Sequence, residues 1–246
     1  MKIHAFTRSA SACAAAALAA VAVIGGGMER AHAVEIRVLS AAAMQSIFKV
    51  IAGEFEHQSG VKLVMTYGTM GAITDRVLAG ETADLIIGST QSMERLAIEG
   101  KIDPGTRVTF ARVGVGVVVP IGSPKVSIGS AEELRCALLA APTVVYASPA
   151  GGGAAGIHIA RVIEKLGISE QLKPKTKFGA GGDVTEVTLA LGVGTLGMTQ
   201  VSEIVNKVGA EFVGPFPNEL QNYTGITLGT PTGVARSRAA VALSNS

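Results

Sequence analysis

The sequence predicts an α/β fold in two lobes, each a mainly parallel sheet flanked by helices, hinged together as a clamshell. Three observations carry this. An apolar strand, a short run of small residues and an amphipathic helix recur in that order, most clearly as VLSAAAMQSIF at Val38–Phe48, MTYGTMGAITDRV at Met65–Val77, VVYASPAGGGAAGIHIARVI at Val144–Ile163 and GAGGDVTEVTLAL at Gly179–Leu191. A long β-rich run, Arg107–Pro120, divides this series in two. Two late extended segments, Phe212–Pro217 and Tyr223–Leu228, can return the chain to the first lobe. Strands alternating with helices build parallel sheets covered on both faces.

Taken in order, Glu35–Ser40 reads as a strand, and Met44, Ile47, Phe48, Ile51 and Phe55 then recur at helical spacing up to Ser59-Gly60. Val61–Tyr67 is a second strand, followed by a short helix through Ile73, Val77 and Leu78 that Gly80 closes. Ala83–Gly88 is a third, fully buried strand; Met93, Leu96 and Ala97 mark the next helix. After the long run come helix Ala131–Leu139, strand Thr143–Ala147 and helix Ala154–Leu166. A turn through Lys173-Pro174, helix Val184–Leu191 and strand Gly194–Thr199 follow. The expected division is a first lobe of residues 34–113 plus 218–246 and a second of residues 114–217.

Ahead of the first strand, Lys2 and Arg8 precede an apolar, Ala-rich run at Ala10–Ile24, and Ala31-His32-Ala33 is an A-x-A cleavage pattern. Residues 1–33 are therefore expected to be a secretory signal peptide; the run is short and small-residue-rich for a membrane span. The whole chain carries 21 Lys and Arg against 19 Asp and Glu. Lys2, Arg8, Arg30 and Glu29 lie in the leader, so the remainder is neutral. With no basic run and no aromatic ladder, nucleic acid is excluded as a partner. Cys136 is the only cysteine of the mature chain, which excludes an intramolecular disulfide, and its position in EELRCALLA predicts a buried structural thiol.

A helix start presents unpaired backbone N–H groups and a partial positive charge, so it holds an anion without Lys or Arg. Several such starts behind an export signal point to a secreted receptor for a small anion. Gly151-Gly152-Gly153-Ala154-Ala155-Gly156 fits G-x-G-x-x-G, but Glu170, the acid about twenty residues on, follows no strand in SEQLKPKTK. A small anion is favoured there over a dinucleotide. His158, one turn into the following helix, reads as a partly exposed helix histidine. Asp183 reads as the cap of the helix at Val184, and Asp84 as structural. No H-x-x-x-H, C-x-x-C or carboxylate cluster points to a metal, no G-x-S-x-G to a serine hydrolase, and no nucleophile–base pair to an enzyme.

The segments AAAM, TYGTMGAI, AGETADLIIGS, AAGIHIARVIEKLG, GGDVTEVTLAL and GTLGMTQVSEI occur in that order over nearly the whole mature chain. Through them the sequence resembles the periplasmic molybdate-binding proteins, substrate-binding components of ABC importers with the type 2 periplasmic-binding fold. The resemblance implies a periplasmic, monomeric protein without cofactor. Its partners would be a small anion (molybdate, tungstate or a related one) and an inner-membrane ABC permease with its ATPase. A periplasmic sensor for a membrane signalling partner is the alternative, and an enzyme on the same architecture a more distant one.

In that family serine hydroxyls, backbone N–H groups at helix starts and a tyrosine hydroxyl hold the oxyanion. The resemblance places the first serine at Ala43 and the second at Met70, flanked by Thr69 and Gly71. The backbone donors fall at Ala155, beside Gly156, and at Val184, and the tyrosine falls at Gln200. Three side-chain hydroxyls are thus replaced, Met70 is expected to bring apolar bulk toward the ligand, and a retuned anion specificity follows. The resemblance also implies a further C-terminal helix, of which Ala239–Leu243 would be a stub.

Overall fold

A computed structural model describes residues 34–234. The expected signal peptide at 1–33 and the helix stub at Ala239–Leu243 lie outside the described residues. In the first lobe, β1 (Val34–Ala41) pairs in parallel with β2 (Val61–Gly68) on one side and β3 (Leu85–Ser89) on the other. The return strand β9 (Tyr223–Gly229) runs antiparallel to β3. The period of two in β1 serves both faces. Ile36 and Val38 pack with Met44 and Phe48 under α1 (Gln45–Ser59). Leu39 and Ala41 pack with Met70, Ile73 and Val77 of α2 (Met70–Leu78), and with Met93 and Leu96 of α3 (Thr90–Ile98).

The long run forms one strand, β4 (Val108–Pro120), which belongs to both lobes. Up to Gly114 it pairs with β9; from Val115 it pairs with β7 (Thr195–Gln200) and from Gly116 also with β8 (Ala210–Pro215), all antiparallel. The handover is pinned by Gln221, whose Oε1 accepts from Val115 N at 2.8 Å while its Nε2 donates to Val115 O at 2.9 Å. Leu220, expected with the first lobe, packs in the core of the second, so the chain crosses back at about Gln221.

In the second lobe β5 (Thr143–Ala147) lies between β7 and β6 (Thr176–Gly179), parallel to both. Helices α4 (Ala131–Ala140) and α5 (Ala154–Lys165) cover one face, where Leu134, Leu138, Ile159 and Val162 meet Val117, Val144 and Met198. α7 (Val184–Leu191) covers the other, with Val184 on Val145 and Ala147. The short helix α6 (Ser169–Leu172) and β6 replace the plain turn expected around Lys173-Pro174. As an edge strand with Lys177 and Phe178 exposed, β6 has no buried period to read.

Cys136 corrects the sequence reading, because it is exposed. α4 buries Leu134 and Leu138, one turn apart, which turns position 136 outward. Its Sγ lies 3.5 Å from Glu132 Oε1, and that hydrogen bond, helped by partial desolvation, pushes the thiol up and keeps it protonated.

Candidate functional site

The carboxyl ends of β1, β2, β5 and β7 point at one another across the line between the lobes, where the small-residue turns meet. They enclose a cavity of about 40 Å³. At roughly 10–15 Å³ per water, that volume takes about three waters, the room for one compact ionic group.

Its walls are largely backbone. Ala42 and Ala43 open the 3-10 turn after β1; Thr69 and Met70 open α2; Gly153, Ala154, Ala155 and Gly156 open α5; Gly181 and Gly182 precede α7. The first N–H groups of each helix have no intrahelical partner, so the cavity is rich in donors. Among the described residues neither Lys, Arg nor His lines it, and the only ionisable side chain in its wall is Glu203. An anion placed here is stabilised by aligned peptide dipoles.

Ala43, Thr69, Met70, Ala155, Gly156 and Gln200, all expected at the site, line this cavity; Gly71 and Val184 are not in its wall. Val184 is fully buried one step behind Gly181 and Gly182. Asp183 stands at the N-cap of α7, but its Oδ1 accepts from Gly181 N at 3.0 Å instead of capping the helix. It thereby shapes the glycine turn. Met70 differs from the expectation: its thioether lies over Gly88, where a Cβ would come within 2.6 Å of Sδ. Its bulk fills the core of the first lobe, and the missing Cβ at Gly88 makes that possible. Gly156 permits the close approach of α5 to β5, because a Cβ there would run into the carbonyl oxygen of Ala147.

Thr69 and Gly71 hold the lobes closed. Thr69 caps α2 by accepting from Ala72 N at 3.2 Å, and its hydroxyl donates across the cleft to Gly151 O at 2.7 Å. That hydroxyl is therefore engaged already, not free to replace a lost serine. Beside it Gly71 faces the turn at Gly151 and Gly152, where a Cβ would sit 2.7 Å from Gly151 O and 3.0 Å from Gly152 Cα. A Cβ on Gly182 would lie 2.6 Å from Ala42 Cβ, and one on Gly181 would strike Thr69 Cγ2. The two lobes thus approach closely at glycines.

Among the wall residues not anticipated from the sequence, Ser89, Thr199, Glu203 and Thr224 carry polar side chains. The Ser89 hydroxyl caps α3 through Ser92 N. Thr199 donates to the Glu203 carboxylate, and Thr185 Oγ1 donates to Glu203 O at 2.9 Å. Burial pushes the Glu203 carboxyl above the usual carboxylate range; the Thr199 hydroxyl opposes this, Glu186 and Asp183 add to it, and Lys207, itself paired with Glu186, opposes it weakly. The shift favours the neutral form of Glu203, which places no negative charge on the wall. Gln200 is only 6% exposed, and its Oε1 has no hydrogen-bond partner. A buried unpaired amide oxygen is costly, and it calls for a hydrogen-bond donor. The signal for Glu203 was present in GTLGMTQVSEI, but without periodicity nothing distinguished it from other exposed acids.

A two-lobed α/β fold with a donor-lined cavity at the strand ends defines a class, the ligand-binding clamshells. The chain belongs to the bacterial extracellular solute-binding protein family, which it matches over residues 36–245. It is 25% identical over 195 residues to aconitate isomerase from Pseudomonas sp, covering 77% of this chain and 72% of that one. It is 28% identical over 190 residues to the molybdate-binding protein ModA of Escherichia coli strain K12, covering 75% and 72%. Among solved structures it superposes on the periplasmic molybdate-binding protein of Azotobacter vinelandii with a TM-score of 0.70 at 16% identity, over 85% of this chain and 91% of that one. The sulfate-binding protein SubI of Mycobacterium tuberculosis H37Rv gives 0.64 at 20% identity, over 86% and 80%. These structural likenesses establish the fold.

Proposed function

We propose that this protein is a periplasmic receptor that captures a small anion between its lobes and delivers it to an inner-membrane ABC permease with its ATPase. The observation that carries the reading is the cavity wall: four chain turns supply backbone donors, and no fixed cation competes with them. The hinge lies where β4 changes partners, between Gly114 and Val115, and at Gln221, so residues before and after these points rotate as bodies. The anion closes the clamshell, and the permease recognises the closed form; a membrane sensor would read the same change. Selectivity comes from donor geometry and cavity size, with Ala43 and Gln200 in place of hydroxyls. The test is calorimetric titration with molybdate, tungstate, sulfate, phosphate, acetate and trans-aconitate. Saturable binding of at least one supports the receptor; binding of none at millimolar concentration refutes it.

One observation favours a second reading, isomerisation of a carboxylate ligand. Glu203 is a titratable carboxyl in the cavity wall, and one relative is named aconitate isomerase. Proton transfer needs a positioned acid or base near its operating pH. We favour the receptor because the family is one of solute-binding proteins, and the cavity wall is built mainly of backbone donors, which hold charge and move no proton. Proton NMR of trans-aconitate incubated with the protein decides: an unchanged spectrum agrees with the receptor, conversion establishes the isomerase.

A further inference from the structure

The cleft cavity has a neighbour. A pocket of about 410 Å³ adjoins it and shares Ser89, Ala154 and Thr224 as common wall. Like the cavity, it is bounded by both lobes: Ser89, Thr90 and Gln91 from the first, the outer face of α5 from the second, and Asn222–Thr224 where the chain crosses. It attracts an anion by a different means. Among the described residues the cavity wall has one carboxyl and backbone donors, whereas Arg161 is the only fixed charge lining the pocket. Arg161 has no ion-pair partner among the described residues. His158 lines the pocket as well, with Nε2 donating to Leu220 O at 2.8 Å.

The helix sets the distance between the two. Ala154, Ile157, His158 and Arg161 are spaced i, i+3, i+4 and i+7, one face of α5 running from the cavity into the pocket. From Ala155 to Arg161 the axis advances about 9 Å. Helical side chains lean toward the N-terminus, so the guanidinium reaches back over part of that distance. The shared wall between them is made of small side chains.

We propose that the cavity and this pocket form one extended site for a short-chain organic polyanion. One carboxylate sits among the helix starts of the cavity, and a second pairs with Arg161. The proposal rests on the anion-receptor reading and names its ligand class. The planar guanidinium suits a carboxylate held through two parallel hydrogen bonds, whereas a bare tetrahedral oxyanion occupies the cavity alone.

The test is titration of wild type, Arg161→Ala and Arg161→Lys with molybdate, acetate, succinate and trans-aconitate. Arg161 is exposed and unpaired, so the variants should fold, and their melting temperatures check this. The expected result is that succinate or trans-aconitate binds at least tenfold tighter than acetate. Arg161→Ala removes that gain, Arg161→Lys restores part of it, and molybdate and acetate are unchanged. Polycarboxylates that bind no tighter than acetate, or that bind Arg161→Ala as well as wild type, overturn the extended site. Binding of molybdate alone overturns it too while leaving the anion receptor standing; binding of none of the four also overturns the extended site, and the receptor is then decided by tungstate, sulfate and phosphate.

Discussion

Gly71→Ala separates closure from folding. Gly71 is the second residue of α2, where Ala is the better helix former by about 1 kcal/mol. Within the first lobe the substitution is therefore neutral or stabilising. Across the cleft its Cβ meets Gly151 O at 2.7 Å and Gly152 Cα at 3.0 Å. Both are backbone atoms in a turn fixed by Gly151 N donating to Ser148 O at 3.0 Å, so neither rotates away. Overpacking of this kind costs about 1–3 kcal/mol, and the cost falls on the closed arrangement alone. Apparent affinity scales with the population of the binding-competent state, so anion binding should weaken by roughly 5- to 150-fold. Calorimetric titration of the tightest-binding anion, alongside thermal unfolding of the unliganded protein, measures both sides. Unchanged affinity refutes the glycine contact as a condition of closure, and a collapsed melting temperature assigns Gly71 to folding instead.

Other substitutions test other parts of the wall. Met70→Ala should destabilise the protein by about 2–5 kcal/mol in urea unfolding, because the side chain fills the first-lobe core. Anion affinity should stay within a few-fold of wild type, and a large change in affinity would return the Met70 side chain to the ligand. Glu203 gives a pH signature. Its folded-state carboxyl titrates above the ordinary value, so over that interval the native state binds more protons than the unfolded state. Stability should fall as pH rises from the ordinary carboxylate range through the raised value. In Glu203→Gln this fall should be absent, and superimposable unfolding midpoints against pH for the two proteins would contradict the assignment.

The alternation of strands and helices was legible because β3 and the second half of β1 are buried on both faces and each helix on one. The periods of two and 3.6 residues are visible in Ile36–Ala41 and in Ile73–Val77. β6 was not legible, because an exposed edge strand leaves no apolar period, and Cys136 was misread because Ala-rich helices blur which face is apolar. Much of the cavity wall followed from small residues at helix starts. Functions set by contact between distant residues did not: Thr69 bonds Gly151 and Gly71 faces Gly152 only once the lobes meet, and Met70 turns onto Gly88 only once the first lobe is packed. Glu203 was missed for a related reason, since its burial depends on α7 and β7 meeting around it.

The central claim is that backbone N–H groups at converging helix starts hold an anion. Amide hydrogen exchange, with and without a saturating anion, addresses it residue by residue. The account predicts new protection at Ala43, Met70, Ala155 and Gly182 and their next one or two amides, with little change on the outer faces of α1 and α4. Ligand-saturated protein whose protection falls elsewhere, or on only one of these four starts, would contradict it.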